Sequence, residues 1–324
     1  MASDWEYTYA VARIRVLETK LLTDADVNTM VSAKDAKTVI TYLKDKGWGD
    51  VGVGDDPEEI LSIEEKKIWD TMHEMHVDFS VFDVLSFPDI YHNLKAAIKD
   101  VCLSGDHIGA YISHDTYGRD EMLRIVRDKD YSALPEHMRA VVPEAYDTML
   151  HTRDGQLCDI MIDRACLDAI EAAGQKSDAK VIRDYAESFV AVTNIKIAVR
   201  AAKTGKSLDF LQKALSPCKS FDVRQMAQAA NAGIDSLMEF LPQAGFAEAQ
   251  EALKDSPSAF ERWCDNAQIR AVKPMKYEVC SVGPLVAYVI ARQNEIKTAR
   301  IIITCKENNL PEDAIRERTR EMYV

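Results

Sequence analysis

The chain has 324 residues, 47% of them apolar and 29% charged, the balance of an ordinary soluble globular protein with length for one large core or two to three smaller ones. Its 53 acidic side chains outweigh 40 basic ones, and a net charge of −13 argues against nonspecific binding to nucleic acid or anionic lipid. Seven cysteines without a Cys-x-x-Cys pair fit reduced thiols in a cytoplasmic protein better than a disulfide scaffold.

The acidic start, Met1 to Glu6, lacks an apolar signal core, so secretion is not expected. Tyr9 to Leu22 reads as a helix, with Thr23-Asp24 as a stop and restart. Ser32-x-x-Asp35 resembles a capping box, and the helix it opens runs to about Lys46, where Gly47 can take the left-handed position. Gly49 to Pro57 reads as loop, and Ser62-x-x-Glu65 opens a helix through Met75. Ile90, Leu94, Ala97 and Val101 share one helix face, with Gly105 as its stop. A second such helix begins near Ser177, carries the stripe Val192, Ile195, Val199 and Ala202, and ends at Gly205. A third starts at Pro284, with Val289, Ile296 and Ile303 in line. Asn309 closes it and Pro311 opens a last helix to Arg320. The apolar run 282–291 is far shorter than the roughly 20 residues that span a bilayer. No stretch alternates like a strand, so the expected fold is all-α.

Lysines at 95, 196 and 297 are spaced by 101 residues in both steps, each in a helical stretch with an aliphatic residue before it and an alanine two after. That period exceeds the roughly 20–50 residues of a solenoid unit. It suggests three helical units in tandem, 1–110, 111–206 and 207–324, arranged as a pseudo-threefold body. A second echo supports it. Met30-Val31-Ser32-Ala33, Leu43 and Gly47-Trp48 return as Met226-Ala227-Gln228-Ala229, Leu241 and Gly245-Phe246. The middle unit, around Asp120 to His137, is shorter and matches poorly.

Chemistry is sparse. Thr204-Gly205-Lys206-Ser207 has the end of a phosphate loop without its first glycine, and a helix terminus explains the same letters. His73 and His76 stand at i, i+3 rather than the i, i+4 of a zinc helix. A helical metal phosphohydrolase would build on His114-Asp115, recruiting His73, His92 and Asp184, and this is the competing enzyme reading; a helical adaptor with unrelated partners is the other. No nucleophile triad can be picked out by spacing, and no metal, cofactor or catalytic residue is expected. Lys95, Lys196, Arg200, Lys297 and Arg300 recur beside apolar stripes. They are either snorkelling side chains or a ring of positive charge around a shared centre.

The C-terminal stretch Glu295-Ile296-Lys297, Arg300 to Ile303, Lys306, Asn309-Leu310-Pro311 and Ile315 to Arg318 resembles the end of the C subunit of the prokaryotic V/A-type rotary ATPases, whose eukaryotic relative is the d subunit. Tyr9-Ala10-x-Ala12-Arg13-x-Arg15, with Glu18-x-Lys20-Leu21-Leu22, resembles that family's opening helix, and Leu43 leading to Gly47-Trp48 agrees. The resemblance implies a funnel of three similar helical units without an active site. It implies a seat on the cytoplasmic face of the membrane proteolipid ring, receiving the axle made of the D and F subunits. Candidate partner-interface residues are Arg13 and Arg15 in the first helix, with Lys95, Lys196, Arg200, Lys297 and Arg300 in the repeats.

Overall fold

Local capping chemistry starts and stops the helices. Thr23 and Asp26 form a reciprocal capping box: the Thr23 hydroxyl accepts the Asp26 N–H at 3.2 Å, and the Asp26 carboxylate accepts the Thr23 N–H at 2.8 Å. The Ser32–Asp35 pair works differently from expectation. Asp35 is itself the N-cap, accepting the Thr38 N–H at 2.8 Å. Ser62 likewise lies inside a helix that Asp56 caps and Pro57 opens, because an aspartate followed by proline is already a complete start signal. At the far ends Gly47 and Gly205 take φ of 89° and 63°, the left-handed region that costs glycine nothing.

The computed structural model describes residues 7–103, 111–112 and 116–324; Met1 to Glu6, the expected stop at Gly105 and the His114–Asp115 pair lie outside them. Among the described residues the chain is helix and connecting turn, with no strand. In chain order the helices are α1 (Thr8–Glu18), α2 (Asp24–Val31), α3 (Ala36–Asp45), α4 (Pro57–His73), α5 (Asp83–Leu103) and α6 (Arg119–Asp128). There follow α7 (Glu136–Arg139), α8 (Val141–Thr152), α9 (Gly155–Lys176), α10 (Lys180–Thr204), α11 (Leu208–Ala214) and α12 (Val223–Ala232). The last are α13 (Ile234–Gln243), α14 (Ala247–Asp255), α15 (Pro257–Val272), α16 (Gly283–Glu307) and α17 (Glu312–Arg318).

The chain divides into two compact units. The first comprises Met1–Val81, Asp178–Ser188 and Phe246–Val324. Its axis is α16, packed by α1, α3, α4, α15 and α17. The expected stripe Val289, Ile296 and Ile303 is buried, but so are Ile290 and Ile302 from other faces. A helix that is apolar nearly all round belongs inside a bundle, and each such side chain contributes about 1.5–3 kcal/mol by leaving water.

The second unit comprises Phe82–Ser177 and Phe189–Gly245. Here α5 is the central helix, packed by α6, α8 and α9. Tyr91 on α5 is fully buried and donates its hydroxyl hydrogen to the His137 carbonyl at 3.0 Å, while Phe87 packs on the His137 ring at 4.1 Å between centroids. The boundaries 1–110, 111–206 and 207–324 concern repetition along the sequence, a different criterion from this division by packing.

Candidate functional site

The seven basic candidates fall into distinct environments. In the first unit Arg13 pairs with Glu74, and Arg15 bonds Glu18 at 2.7 Å as well as the Met275 and Glu278 carbonyls at 2.9 and 2.5 Å. Lys297 pairs with Asp265 at 2.8 Å, and Arg300 reaches Glu58 and Glu65 at 3.3 Å. In the second unit Lys95 pairs with Asp163 at 2.6 Å. Lys196 is half-buried, whereas Arg200 is exposed and its guanidinium has no partner among the described residues. Most of the positive charge is therefore neutralised within its own unit, and Arg200 is the candidate left open to a partner.

Burial also refines the repeat. From Asn194 to Arg200 the residues run buried, buried, half-buried, half-buried, buried, buried, exposed, and 298–304 repeats that order position by position. The run begun at Glu295 does not. A burial run of the same order thus lies one helical turn beyond the equal step read from sequence. The other echo is matched in backbone: Gly47 and Gly245 have φ of 89° and 88°, and Met30, Met226, Leu43 and Leu241 are all buried.

The polar residues with the most structural consequence are ones the lysine spacing did not single out. Asn93 on α5 accepts the Ile112 N–H at 2.8 Å and donates to the Ile112 carbonyl at 2.8 Å. Asn194 on α10 does the same to Ser216, at 3.0 and 2.7 Å. Each carboxamide thus clasps both ends of one non-helical residue, seven positions before the next of these helices, α6 or α12. Glu295 on α16, at the same 101-residue step from Asn194 as Asn194 is from Asn93, accepts the Leu22 N–H. Thr298, one turn further on, is buried with its hydroxyl without a hydrogen-bond partner among the described residues. An asparagine inside an apolar stripe was the available signal, since a buried amide must find partners.

Glu295 belongs to a buried ionic cluster. Arg292 donates to Glu295 and, at 2.5 Å, to Glu64 on α4, with its guanidinium 5.0 Å from the Trp48 ring centroid. Glu64 also accepts the Gly49 N–H and Lys67, both at 2.8 Å. Burial raises the Glu295 carboxyl to about 7 against the pull of Arg292 and the Leu22 amide. Burial alone would lower the Arg292 guanidinium, but Glu295, Tyr288 and Glu64 together outweigh it and the net direction is upward. A cleft of about 310 Å³, lined by Lys20, Trp48, Lys67 and Tyr288, reaches Glu64 and Arg292.

The motif decoys resolve as structure. Gly205 ends α10, the Lys206 N–H bonds back to the Ala201 carbonyl at 3.0 Å, and Ser207 caps α11. His73 stacks on Phe79 at 4.0 Å, and His76 holds a left-handed turn with φ of 53°. Asp184 pairs with Lys180, one turn earlier on α10. Among the described residues no three His, Cys, Asp or Glu side chains come together to hold a metal. Nor is any described helix long and apolar enough to cross a membrane.

Comparison with known proteins decides the classification. The family model for the ATP synthase (C/AC39) subunit matches residues 10–318. The chain belongs to this family. It is 22% identical over 287 residues to the C subunit of the V-type sodium ATPase of Enterococcus hirae, covering 84% of each chain. It is also 22% identical, over a 343-residue alignment, to the C subunit of the A-type ATP synthase of Methanocaldococcus jannaschii, covering 96% of this chain and 85% of that one. Over 145 residues it is 27% identical to the corresponding A-type ATP synthase protein of Haloferax volcanii, covering 43% of this chain and 41% of that one. The family match runs through both units and every helix from α2 to α17.

Proposed function

We propose that this chain is the non-catalytic central-stalk subunit of a V/A-type rotary ATPase, seated on the inner face of the cell membrane. It couples the D–F axle to the membrane proteolipid ring during proton or sodium transport. The observation that carries this reading is the family match over residues 10–318 on a chain whose described residues form packed helices and turns without a strand. A coupling part needs stiffness and docking surfaces rather than a reactive pocket, and buried two-bond clasps with internally neutralised charge suit that need.

A pseudo-threefold funnel of three units, with approximate limits 1–110, 111–206 and 207–324, is the architecture proposed for it. The matched clasps of Asn93 and Asn194, the matched glycine turns and the burial run shared by α10 and α16 support such repetition. Arg200 is the leading interface residue of the seven candidates, because its charge is not already neutralised inside the protein.

Affinity purification of the tagged full chain from its native membranes tests the reading. The D and F proteins and the proteolipid ring are expected in stoichiometric yield, with no ATPase activity in the isolated chain. Recovery without any ATPase component, or with stoichiometric metal and phosphatase activity, overturns it.

A further inference from the structure

The segment 319–324 follows α17 without any helix of its own. Beyond Thr319 its backbone makes no bond to another backbone among the described residues. Side chains of other elements hold it instead. Asn266 on α15 accepts the Glu321 N–H at 2.9 Å, and Asn294 on α16 donates to the Glu321 carbonyl at 3.0 Å. Asp24 on α2 accepts the Met322 N–H at 3.3 Å. We infer that 319–324 is a detachable strap that opens as one piece while the rest of its unit stays folded, and that the buried hydroxyl of Tyr323 keeps it ready to open.

Two kinds of contact close the strap. Along its rim, Arg320 reaches Asp265 on α15 at 2.7 Å, and Glu321 pairs with Arg270 at 2.9 Å and with Lys273. The Arg270, Lys273 and Glu321 side chains are all partly exposed, so water and salt weaken their pairing. Beneath the rim, Met322 and Tyr323 are buried and supply the apolar anchor. These bonds all run from the strap to other elements. No internal structure lets one half stay when the other lifts.

Tyr323 is an anchor that works against itself. Its hydroxyl is buried without a hydrogen-bond partner among the described residues. Arg15 and Glu18 lie beside it but are engaged with each other at 2.7 and 2.8 Å. Arg15 also gives hydrogens to the Met275 and Glu278 carbonyls. A hydroxyl taken from water without a replacement bond penalises the closed form, and opening returns it to water. The strap in turn moors the segment 273–279. Lys273 pairs with Glu321, and the Lys276 ammonium stands 5.0 Å over the Tyr323 ring. Tyr277 and Val279 on that segment are 87% and 69% exposed. Opening removes this mooring and leaves the one through Arg15 to α1, so the strap sets how firmly an exposed apolar pair is presented. That is a property of the chain itself, whatever its partners are.

Hydrogen exchange on the full chain, in urea concentrations below the unfolding transition, tests the strap at single amides. A local opening exposes little surface and responds little to denaturant, whereas global unfolding responds steeply. The Glu321 and Met322 amides should show nearly equal opening constants that stay flat in urea. Those constants should exceed those of Ile296 and Ile302 on α16 by about 100-fold or more. In Tyr323→Phe, which keeps the ring and drops the hydroxyl, both strap amides should exchange roughly fivefold or more slowly. Urea slopes equal to those of Ile296 overturn the inference, because the segment would then open only with its whole unit. Opening constants at Glu321 and Met322 that differ by more than about tenfold also overturn it, as does unchanged or faster exchange in Tyr323→Phe. The readings on the unaltered chain need no variant, so they decide the matter even if Tyr323→Phe fails to fold.

Discussion

Asn194 grips Ser216 at both ends, taking its N–H at 3.0 Å and giving a hydrogen to its carbonyl at 2.7 Å. Both residues are fully buried, so no water replaces either bond when the carboxamide is removed. Asn93 and Ile112 repeat the arrangement on α5.

Asn194→Ala should therefore cost about 2–4 kcal/mol, since two buried backbone groups lose their partner at about 1–3 kcal/mol each. Asn194→Asp should keep one bond and lose the other, because a carboxylate cannot donate to the Ser216 carbonyl. Urea unfolding of both variants checks the order. Equal stability of Asn194→Ala and the unaltered chain would refute the clasp.

Thr298→Val should be neutral or stabilising by about 1 kcal/mol. The hydroxyl is buried without a partner among the described residues, so its removal relieves a desolvation cost while the branched shape stays. A loss of more than about 1 kcal/mol in thermal or urea unfolding would mean that the hydroxyl is satisfied after all.

Asp265 sits between Lys297 at 2.8 Å and Arg320 at 2.7 Å. Burial pushes its carboxyl up, but the charge of Lys297 and then Arg320 outweigh it, and the net direction is below the usual carboxylate range. Its contribution is complete above the unfolded value near 3.8 and is lost as pH falls through the lower folded value. Asp265→Asn should cost about 3 kcal/mol at neutral pH, with the difference shrinking below about pH 4. A difference independent of pH would show the loss to be one of shape rather than charge.

Arg200 and Arg15 should separate binding from folding. Arg200→Glu leaves every described contact in place, so its melting temperature should stay within about 1 °C, as for an exposed substitution. If the proposed axle contact uses this patch, affinity for a purified D–F dimer should fall, and more so at low salt. Arg15→Glu loses two carbonyl bonds that pin the 275–278 turn to α1 and should cost about 2–4 kcal/mol. Unchanged D–F affinity in Arg200→Glu removes this residue from the interface.

Helix existence was legible because it is local. Pro284 sits in the first turn of α16, Gly47 and Gly205 adopt the positive φ expected of them, and the stripe on α5 is buried at Ile90, Leu94 and Ala97. The capping error at Ser32 came from two residues that both cap well, of which the backbone used only Asp35. The ionic cluster was illegible because Glu64 and Arg292 stand 228 residues apart, and nothing local marks either one among the many charges of this chain. Family membership was legible in the diffuse helical pattern of both ends, and the match to residues 10–318 agrees.

The discontinuity of the first unit bears on how the chain is made. Leu22 waits for Glu295, 273 residues later, and Arg15 for Met275, 260 residues later. During synthesis the second unit, complete at Gly245, emerges while the first still lacks α14 to α17. Domains generally fold as they leave the ribosome, so α1 to α4 are made first yet close last. Until α16 arrives, their inner faces, Ile14, Val39, Leu43 and Ile68 among them, lie open to water and to neighbouring chains. Truncation between Gly245 and the start of α16 leaves a finished second unit attached to an unclosed first one, an intermediate that a chaperone would recognise by its exposed apolar surface.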